Sequence, residues 1–286
     1  MKNKKTQDEM SFLEHLEELR WHIVRSVLAI VIIAIVAFIY NEVIFGTIIL
    51  GPKHPDFLTN RLLCQLGHRV NIEALCINTK PFEIINIRMA GQFTTHITVS
   101  LIAGIILAFP YIFWEFWIFF KPALYSSEKK HARGAVFFAS FLFMTGILFG
   151  YFVIVPLSVH FLGSYNVSAE VTNQINLMSY IGTVTSITLA SGLIFQLPIV
   201  TYFLTRIGLV DPAFLRKYRK HSVIVILALA AIITPPDIFS QVLVCLPLLF
   251  LYEVGLVISG RVVAKQEASL NEDWNDNKPE EEGVNS

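Results

Sequence analysis

Long runs of apolar residues, each close to the length that crosses a lipid bilayer, are the feature of this sequence that most limits its fold. Examples are 26–40, 134–160 and 222–234. About 20 apolar residues span the hydrocarbon core as a helix, because a helix satisfies its own backbone hydrogen bonds where water is absent. Only 15% of the 286 residues are charged, against about 25% in soluble domains. If these runs were core helices of a soluble protein, too few polar residues would remain to cover its surface. The sequence therefore predicts an all-α polytopic membrane protein.

The apolar runs predict six membrane-spanning helices. We place them at about 22–42, 93–120, 134–160, 176–205, 221–234 and 238–260. With these spans, 17 of the 22 Lys and Arg residues lie on the side that holds both termini, and the other five lie in one long segment opposite. The positive-inside rule places the basic side in the cytoplasm. We therefore expect residues 1–265 to form one membrane domain with cytoplasmic termini and no cleaved signal peptide.

The last two spans are expected to be short and closely connected. Only 14 residues separate Lys220 from Pro235, enough for about 21 Å of helix, whereas the hydrocarbon core is ~30 Å thick. Pro235 and Pro236 then impose a turn. The resulting hairpin requires a locally thinned bilayer or partners that cover it. After it, the acidic segment 266–286 is expected to be a disordered cytoplasmic tail.

The segment from about 51 to 92, on the outer side, is too long for a simple connection and is expected to contain short structure of its own. Cys64 and Cys76 both lie in it. They could form a disulfide worth about 3 kcal/mol, or they could remain reduced thiols packed against the protein. The sequence leaves both possibilities open.

Patterns that would support catalysis or metal binding are absent from the sequence. There is no His-Glu-x-x-His helix and no phosphate-binding glycine loop. His15 and His22 are two helical turns apart, too far to share one metal ion. We therefore expect a protein that is not an enzyme and has no cofactor, no metal site and no nucleic-acid partner.

Two acidic places on the predicted cytoplasmic side could carry function. Residues from about 11 to 21 form an amphipathic pattern, with Leu16 on its apolar face and Glu18 on another, which predicts a helix lying at the membrane interface. The second place is the aromatic segment 114–125, flanked by Glu115 and Glu128. The aromatic residues alone are typical of an interface belt. Carboxylates beside aromatic faces could also hold a guanidinium group.

Four polar residues lie in or next to the last three predicted spans: Gln196, Asp237, Gln241 and Glu253. Polar side chains in a membrane usually face the bundle interior, a water pocket or a partner helix. Structural packing is the alternative explanation for each of them.

At these positions the sequence resembles TatC, the multi-spanning receptor of the twin-arginine protein translocase, from about Ser11 to Gly260. Four motifs carry the resemblance, in order and within a six-span frame. They are His15-Leu-Glu-Glu-Leu-Arg20, Lys121-Pro-Ala-Leu-Tyr125 followed by Glu128, Thr234-Pro-Pro-Asp-Ile-Phe-Ser-Gln241, and Tyr252-Glu253-Val-Gly255.

The resemblance implies a cytoplasmic-membrane receptor that binds the twin-arginine signal peptides of folded precursors. Such a receptor recruits single-span subunits of the TatA or TatB type, assembles in more than one copy, and depends on the proton-motive force. Signal-peptide residues would be Glu18 and Glu128, which pair with the two arginines, together with Arg20, Phe119, Tyr125, Leu16 and Glu115. Residues for partner contact or translocation would be Gln196, Pro52, Pro235, Pro236, Asp237, Gln241 and Glu253.

The sequence departs from the family pattern at two positions. Gln196 stands where many relatives have a membrane-embedded Glu, so it can form hydrogen bonds with a partner helix but cannot ionise. Glu115 stands where a neutral polar residue is common, so it could reinforce or compete with Glu128.

Two other hypotheses remain at this stage. A proton-coupled secondary transporter would use Glu115, Asp237 and Glu253 as a relay, and it predicts inverted repeats, which the sequence does not show. A scaffold without a ligand predicts that Glu18 and Glu128 are dispensable.

Overall fold

The computed structural model describes residues 12–79, 82–120, 132–168, 170, 173–233 and 238–276. Within them, five helical segments are long and apolar enough to cross a membrane. They are Leu16–Ile39, Gly91–Phe119, Gly134–Ser164, Leu177–Arg206 and Gln241–Ala268. These segments agree with predicted spans one to four and six.

The first helix, α1, is unbroken from Phe12 to Ile39. We predicted a separate interfacial helix at about 11–21, and the structure does not separate this segment from the first span. The stretch contains neither Pro nor Gly, so nothing interrupts the backbone hydrogen bonds between its polar and apolar parts. The carboxylates near its start are therefore fixed rigidly to the membrane-spanning part.

Predicted spans three and four are each interrupted near a proline. In span three, α4 (Ala132–Phe149) passes through a wide turn at Gly150–Ile154 before α5 (Val155–Ser164), which contains Pro156. In span four, α6 (Leu177–Ile194) is followed by α7 (Leu197–Arg206), whose second residue is Pro198. Proline has no N–H to donate to the preceding turn, so the helix widens or breaks there.

The fifth predicted span is α9, Arg219–Ile233, which follows the short helix α8, Pro212–Lys217. With 15 residues, α9 is too short to count among the five membrane-length segments. A helix of this length extends only about 22 Å, as the sequence led us to expect.

The last helix, α10, extends from Ile238 to Asp276. Residues 266–276, which we predicted as part of a disordered tail, continue this helix. Ala, Glu and Leu in this stretch favour a helix, and the Gln266 side chain donates to the Arg206 carbonyl at 3.2 Å, which ties the extension to α7.

The segment between α1 and the third helix, α3 (Gly91–Phe120), forms a small cap. We define the cap as residues 50–79 and 82–90; it contains the helix α2, Leu58–Val70. Its two-residue strand β1, Ile84–Ile85, pairs in parallel with β2, Ile175–Asn176, which leads into α6. The prediction of short structure in this segment is confirmed.

The centre of the bundle lies around α5 and α6. Ile154, Val155, Ile181 and Val184 are almost completely buried there. By contrast, α1 leaves the apolar stripe Leu28, Ile32, Ile35 and Ile39 more than half exposed. An exposed apolar surface of this kind is costly in water and suited to lipid, so the outer surface supports the membrane assignment independently of helix length.

Candidate functional site

The candidate site lies where the start of α1 meets the end of α3. The two helices run antiparallel, because His22 contacts Glu115 at one end while His96 stacks on Phe38 at the other. Between these contacts, Gly104 lets the backbone of α3 approach α1 closely: a Cβ placed there would lie 2.7 Å from the Ile30 carbonyl oxygen. This register fixes which residues face each other.

Glu115 is buried at this end of the helix pair and is bonded through both oxygens. His22 Nδ1 lies 2.5 Å from one carboxylate oxygen, and the Tyr111 hydroxyl donates to the other at 2.6 Å. Arg25 Nη1 is 4.0 Å away. Only 5% of Glu115 and 7% of His22 are exposed, so the pair is shielded from solvent. A buried carboxylate requires such partners, because an unpaired buried charge costs several kcal/mol.

Glu18 lies one helical turn before His22, on the same face of α1. Four residues of helix correspond to about 6 Å. Because the helices are antiparallel, Glu18 is therefore level with Phe119, four residues beyond Glu115. One carboxylate oxygen of Glu18 is buried and has no hydrogen-bond partner among the residues that the structure describes. A buried acceptor without a partner among the described residues is suited to a cationic donor.

Aromatic side chains surround this end of the helix pair. The Phe119 ring meets the His22 ring edge-on, with 6.2 Å between centroids. Trp117 is buried against Phe203 at 5.2 Å, and its indole N–H has no hydrogen-bond partner within the described part of the chain. Leu16 and Arg20 are exposed on α1. This end of the helix pair thus combines a carboxylate, exposed α1 side chains and aromatic faces.

Several predicted site residues lie outside the described residues. Tyr125 and Glu128, in the loop after α3, belong to this group, as do Pro235, Pro236 and Asp237.

Gln196 lies at the break between α6 and α7. Its side-chain nitrogen donates to the Ala139 carbonyl on α4 at 3.1 Å. Its amide oxygen is buried and accepts no hydrogen bond from any described residue. The side chain therefore ties span four to span three and retains one unused acceptor.

Gln241 and Glu253 connect the last two helices. The Gln241 side chain donates to the Leu227 carbonyl on α9 at 3.4 Å. Glu253 on α10 accepts from Arg219 Nε at the start of α9 at 2.7 Å. The two described carboxylates of the transporter hypothesis thus lie on different helix pairs, Glu115 at α1 and α3 and Glu253 at α9 and α10, with no direct bond between them.

Pro52 lies in the cap and is fully buried. Its carbonyl accepts from the side chains of Asn60 at 3.0 Å and Asn78 at 3.3 Å, and Asn78 also donates to the Pro156 carbonyl at 3.1 Å. In this structure Pro52 therefore supports the attachment of the cap to α5.

Cys64 and Cys76 are bonded to each other in the structure, with their Cα atoms 4.1 Å apart. The His68 ring nitrogen lies 3.5 Å from Cys64 Sγ and 3.9 Å from Cys76 Sγ. These three residues could hold a metal ion together only if both cysteines were free thiolates. The two sulfurs are bonded to each other in this structure.

Sequence reasoning did not find the partners of Glu115. His22 and Tyr111 are the residues it missed, together with the nearby Arg25. The available signal was spacing: His22 and Arg25 lie on the face of α1 that carries Glu18, and Tyr111 lies one turn from Glu115. The pairing itself depends on the register of α1 against α3, which the long cap between them hides from the sequence.

Comparison with known proteins identifies the sequences and folds that this chain resembles. A family profile described as "Sec-independent protein translocase protein (TatC)" matches residues 14–247. A protein of that description from Blattabacterium sp. subsp. Periplaneta americana is 43% identical over 269 residues, covering 93% of this chain and all of the relative. A second, from Desulforapulum autotrophicum, is 33% identical and covers 95% of this chain and 92% of its own length.

Solved structures give the same result for the fold. A crystal structure of a twin arginine translocase receptor, TatC, superimposes with a TM-score of 0.63 at 30% identity, covering 87% of this chain and 100% of the other. A crystal structure of TatC in DDM gives a TM-score of 0.67 at 32% identity, covering 86% and 99%.

Proposed function

The chain belongs to the TatC family of Sec-independent protein translocase proteins, and on this basis we propose that it is the receptor for twin-arginine signal peptides. In this role it is the core subunit of a complex in the cytoplasmic membrane that exports folded proteins with the proton-motive force. It acts by binding and recruiting other proteins rather than by catalysis. The similarity to the crystallised twin arginine translocase receptor, over nearly all of both chains, supports the proposal.

The proposal includes six membrane spans with both termini in the cytoplasm. The sixth span is α9, which falls below the usual length. The distribution of Lys and Arg supports this orientation, and it places the Glu18 end of the helix pair on the cytoplasmic side and the cap on the outer side.

The buried oxygen of Glu18, which has no hydrogen-bond partner in the described part of the chain, is the observation that carries the proposed signal-peptide site. A guanidinium group offers donors in a planar fork that matches a carboxylate, and it can lie against aromatic faces. Phe119 is level with Glu18, and the loop that carries Tyr125 and Glu128 follows α3 directly. Glu18 and Glu128 would bind one arginine each, with Leu16, Arg20, Phe119 and Tyr125 around them.

Single-span subunits of the TatA or TatB type are the proposed protein partners. The unused amide oxygen of Gln196 is suited to a donor from a partner helix. The short hairpin of α9 and α10 supplies a second surface, to which Gln241, Glu253, Pro235, Pro236 and Asp237 contribute. Pro52 would contribute to partner contact or translocation through the cap. Several copies of the chain would assemble in the complex.

Crosslinking of a twin-arginine signal peptide to membranes tests the site. Glu18→Ala and Glu128→Ala are each expected to reduce crosslinking about tenfold or more, since each removes a charge-assisted bidentate bond. Glu17→Ala is the matched control, because Glu17 is an exposed carboxylate one residue from Glu18 that points away from α3 by about 100°.

Undiminished crosslinking with both Glu18→Ala and Glu128→Ala would contradict the assignment and favour a scaffold without a ligand. An equal loss with Glu17→Ala would show that only overall negative charge matters, which also contradicts a defined site.

A further inference from the structure

The buried pair of His22 and Glu115 has a role in the same site that the family resemblance did not suggest. We infer that this pair positions the receptor face: it holds the start of α1 against the end of α3, so that Glu18 and Phe119 present one rigid surface to the arginine pair. The inference rests on the signal-peptide site proposed above. It also reassigns Glu115 from a contact residue to a positioning residue.

Glu115 is already bonded within its own chain and enclosed by it. Its two oxygens are held by His22 and Tyr111, at 2.5 and 2.6 Å. With 5% of the residue exposed, a peptide arginine has no open approach to it. Glu18 differs, since the residue as a whole is only half-buried and one of its oxygens, although buried, has no hydrogen-bond partner among the described residues.

The geometry makes the pair a determinant of the neighbouring site. Glu18, His22 and Arg25 form one stripe on α1, at steps of four and three residues, which places them on the same face of a helix. Tyr111, Glu115 and Phe119 form a matching stripe on α3. Because His22 and Glu115 join the two stripes one turn from Glu18 and Phe119, a slide or rotation at this contact displaces Glu18 relative to Phe119.

A polar pair sets this alignment more strictly than apolar packing would. Between this pair and the far end, where His96 Nε2 donates to the Phe38 carbonyl at 3.0 Å, the α1–α3 contact includes Gly104, Ile30 and Ala34, which meet through small or aliphatic side chains and backbone atoms. A hydrogen-bonded polar pair has a defined distance and direction, and binding sites require support of this kind to hold their groups within about 0.5 Å. In lipid there is also no water to replace either partner.

The test measures binding to full-length protein in lipid nanodiscs. Two synthetic signal peptides are compared that differ only in carrying Arg-Arg or Lys-Lys. The readout is the ratio of the two dissociation constants, because a general loss of folded protein changes both constants equally and leaves the ratio unchanged. The main variant is His22→Leu/Glu115→Leu, which removes both partners and so leaves no unpaired buried charge.

The double variant is expected to lower the preference for Arg-Arg about tenfold, the size of one lost charge-assisted hydrogen bond. The exchanged variant His22→Glu/Glu115→His restores a hydrogen-bonded His–Glu pair at the same place and is expected to recover most of the preference. His96→Leu is the matched control. It removes the other histidine of the α1–α3 contact, which stacks on Phe38 at 3.8 Å at the far end, and it is expected to leave the ratio unchanged.

An unchanged ratio in the folded double variant would overturn the inference. If the double variant does not fold, the exchanged variant decides: a ratio near that of the unaltered protein supports positioning, and a lost ratio in the folded exchanged variant contradicts it. Glu18→Ala separates the two proposals. A ratio lost in Glu18→Ala but kept in the double variant rejects only the positioning role, whereas a ratio kept in Glu18→Ala rejects the signal-peptide site itself.

Discussion

Glu18 and Glu115 are residues of one type on one helix pair, and their surroundings differ. Glu115 is enclosed by His22 and Tyr111, each of which bonds one of its oxygens. One oxygen of Glu18 is buried without a hydrogen-bond partner among the described residues. The resemblance to TatC implied that both are signal-peptide residues. It could not separate them, since burial and pairing depend on contacts 93 positions apart in the chain.

Asn78 gives the residue-scale prediction. It has a left-handed backbone with φ of 53° and is buried, and its side chain reaches the Pro52 and Pro156 carbonyls. Asn78→Ala is expected to cost about 3 kcal/mol, because it leaves buried acceptors unsatisfied and also strains the backbone. The measurement is the unfolding midpoint in detergent.

Asn71 provides the control for this prediction, because it has nearly the same backbone, with φ of 57°, but is exposed. Asn71→Ala is expected to cost only about 1 kcal/mol, from the left-handed conformation alone. Equal losses for the two variants would mean that the amide contacts of Asn78 add nothing to the stability of the cap.

At the scale of elements, the helices were easier to predict than their ends and their contacts. The apolar runs located the five membrane-length helices, since hydrocarbon length sets a strong lower limit on each. The continuity of α1 through Phe12–Ile39 and of α10 to Asp276 was not predicted. In both cases a change from apolar to charged residues was interpreted as a change of structure, although a helix continues through it when no Pro or Gly intervenes.

Gly104 gives the prediction for the α1–α3 pair. A Cβ at this position would lie 2.7 Å from the Ile30 carbonyl oxygen and 3.0 Å from Ala34 Cβ, so the helices would have to separate. Gly104→Ala is therefore expected to lower the free energy of unfolding by about 1–3 kcal/mol, measured by thermal unfolding in detergent.

The control for Gly104 is Gly182, a glycine in α6 with nothing within 4 Å of an added Cβ. Gly182→Ala is expected to be neutral or to raise stability by about 0.5–1 kcal/mol, since alanine favours the helix and meets no neighbour. A Gly104→Ala variant as stable as the Gly182→Ala variant would contradict the close approach of α1 and α3.

At the scale of the whole molecule, the two ends of the helical bundle are built differently. At one end, the cap is held by its disulfide and by the Asn60 and Asn78 amides. At the other, α1 and α3 bring Glu18 level with Phe119. The side-to-side asymmetry of charge was readable from the sequence, because basic residues sort by loop. The meeting of these two helix ends was readable only from the family resemblance, because the cap separates them in the chain.

Photo-crosslinking of a twin-arginine signal peptide, with the photoreactive group next to the arginine pair, tests this account most directly. The peptide is added to inverted inner-membrane vesicles, whose cytoplasmic face is outside, and to right-side-out vesicles, and the adducts are mapped by mass spectrometry. The account predicts adducts within residues 16–20 and 119–128, and only in inverted vesicles. Adducts in the cap, or equal crosslinking in right-side-out vesicles, would contradict it.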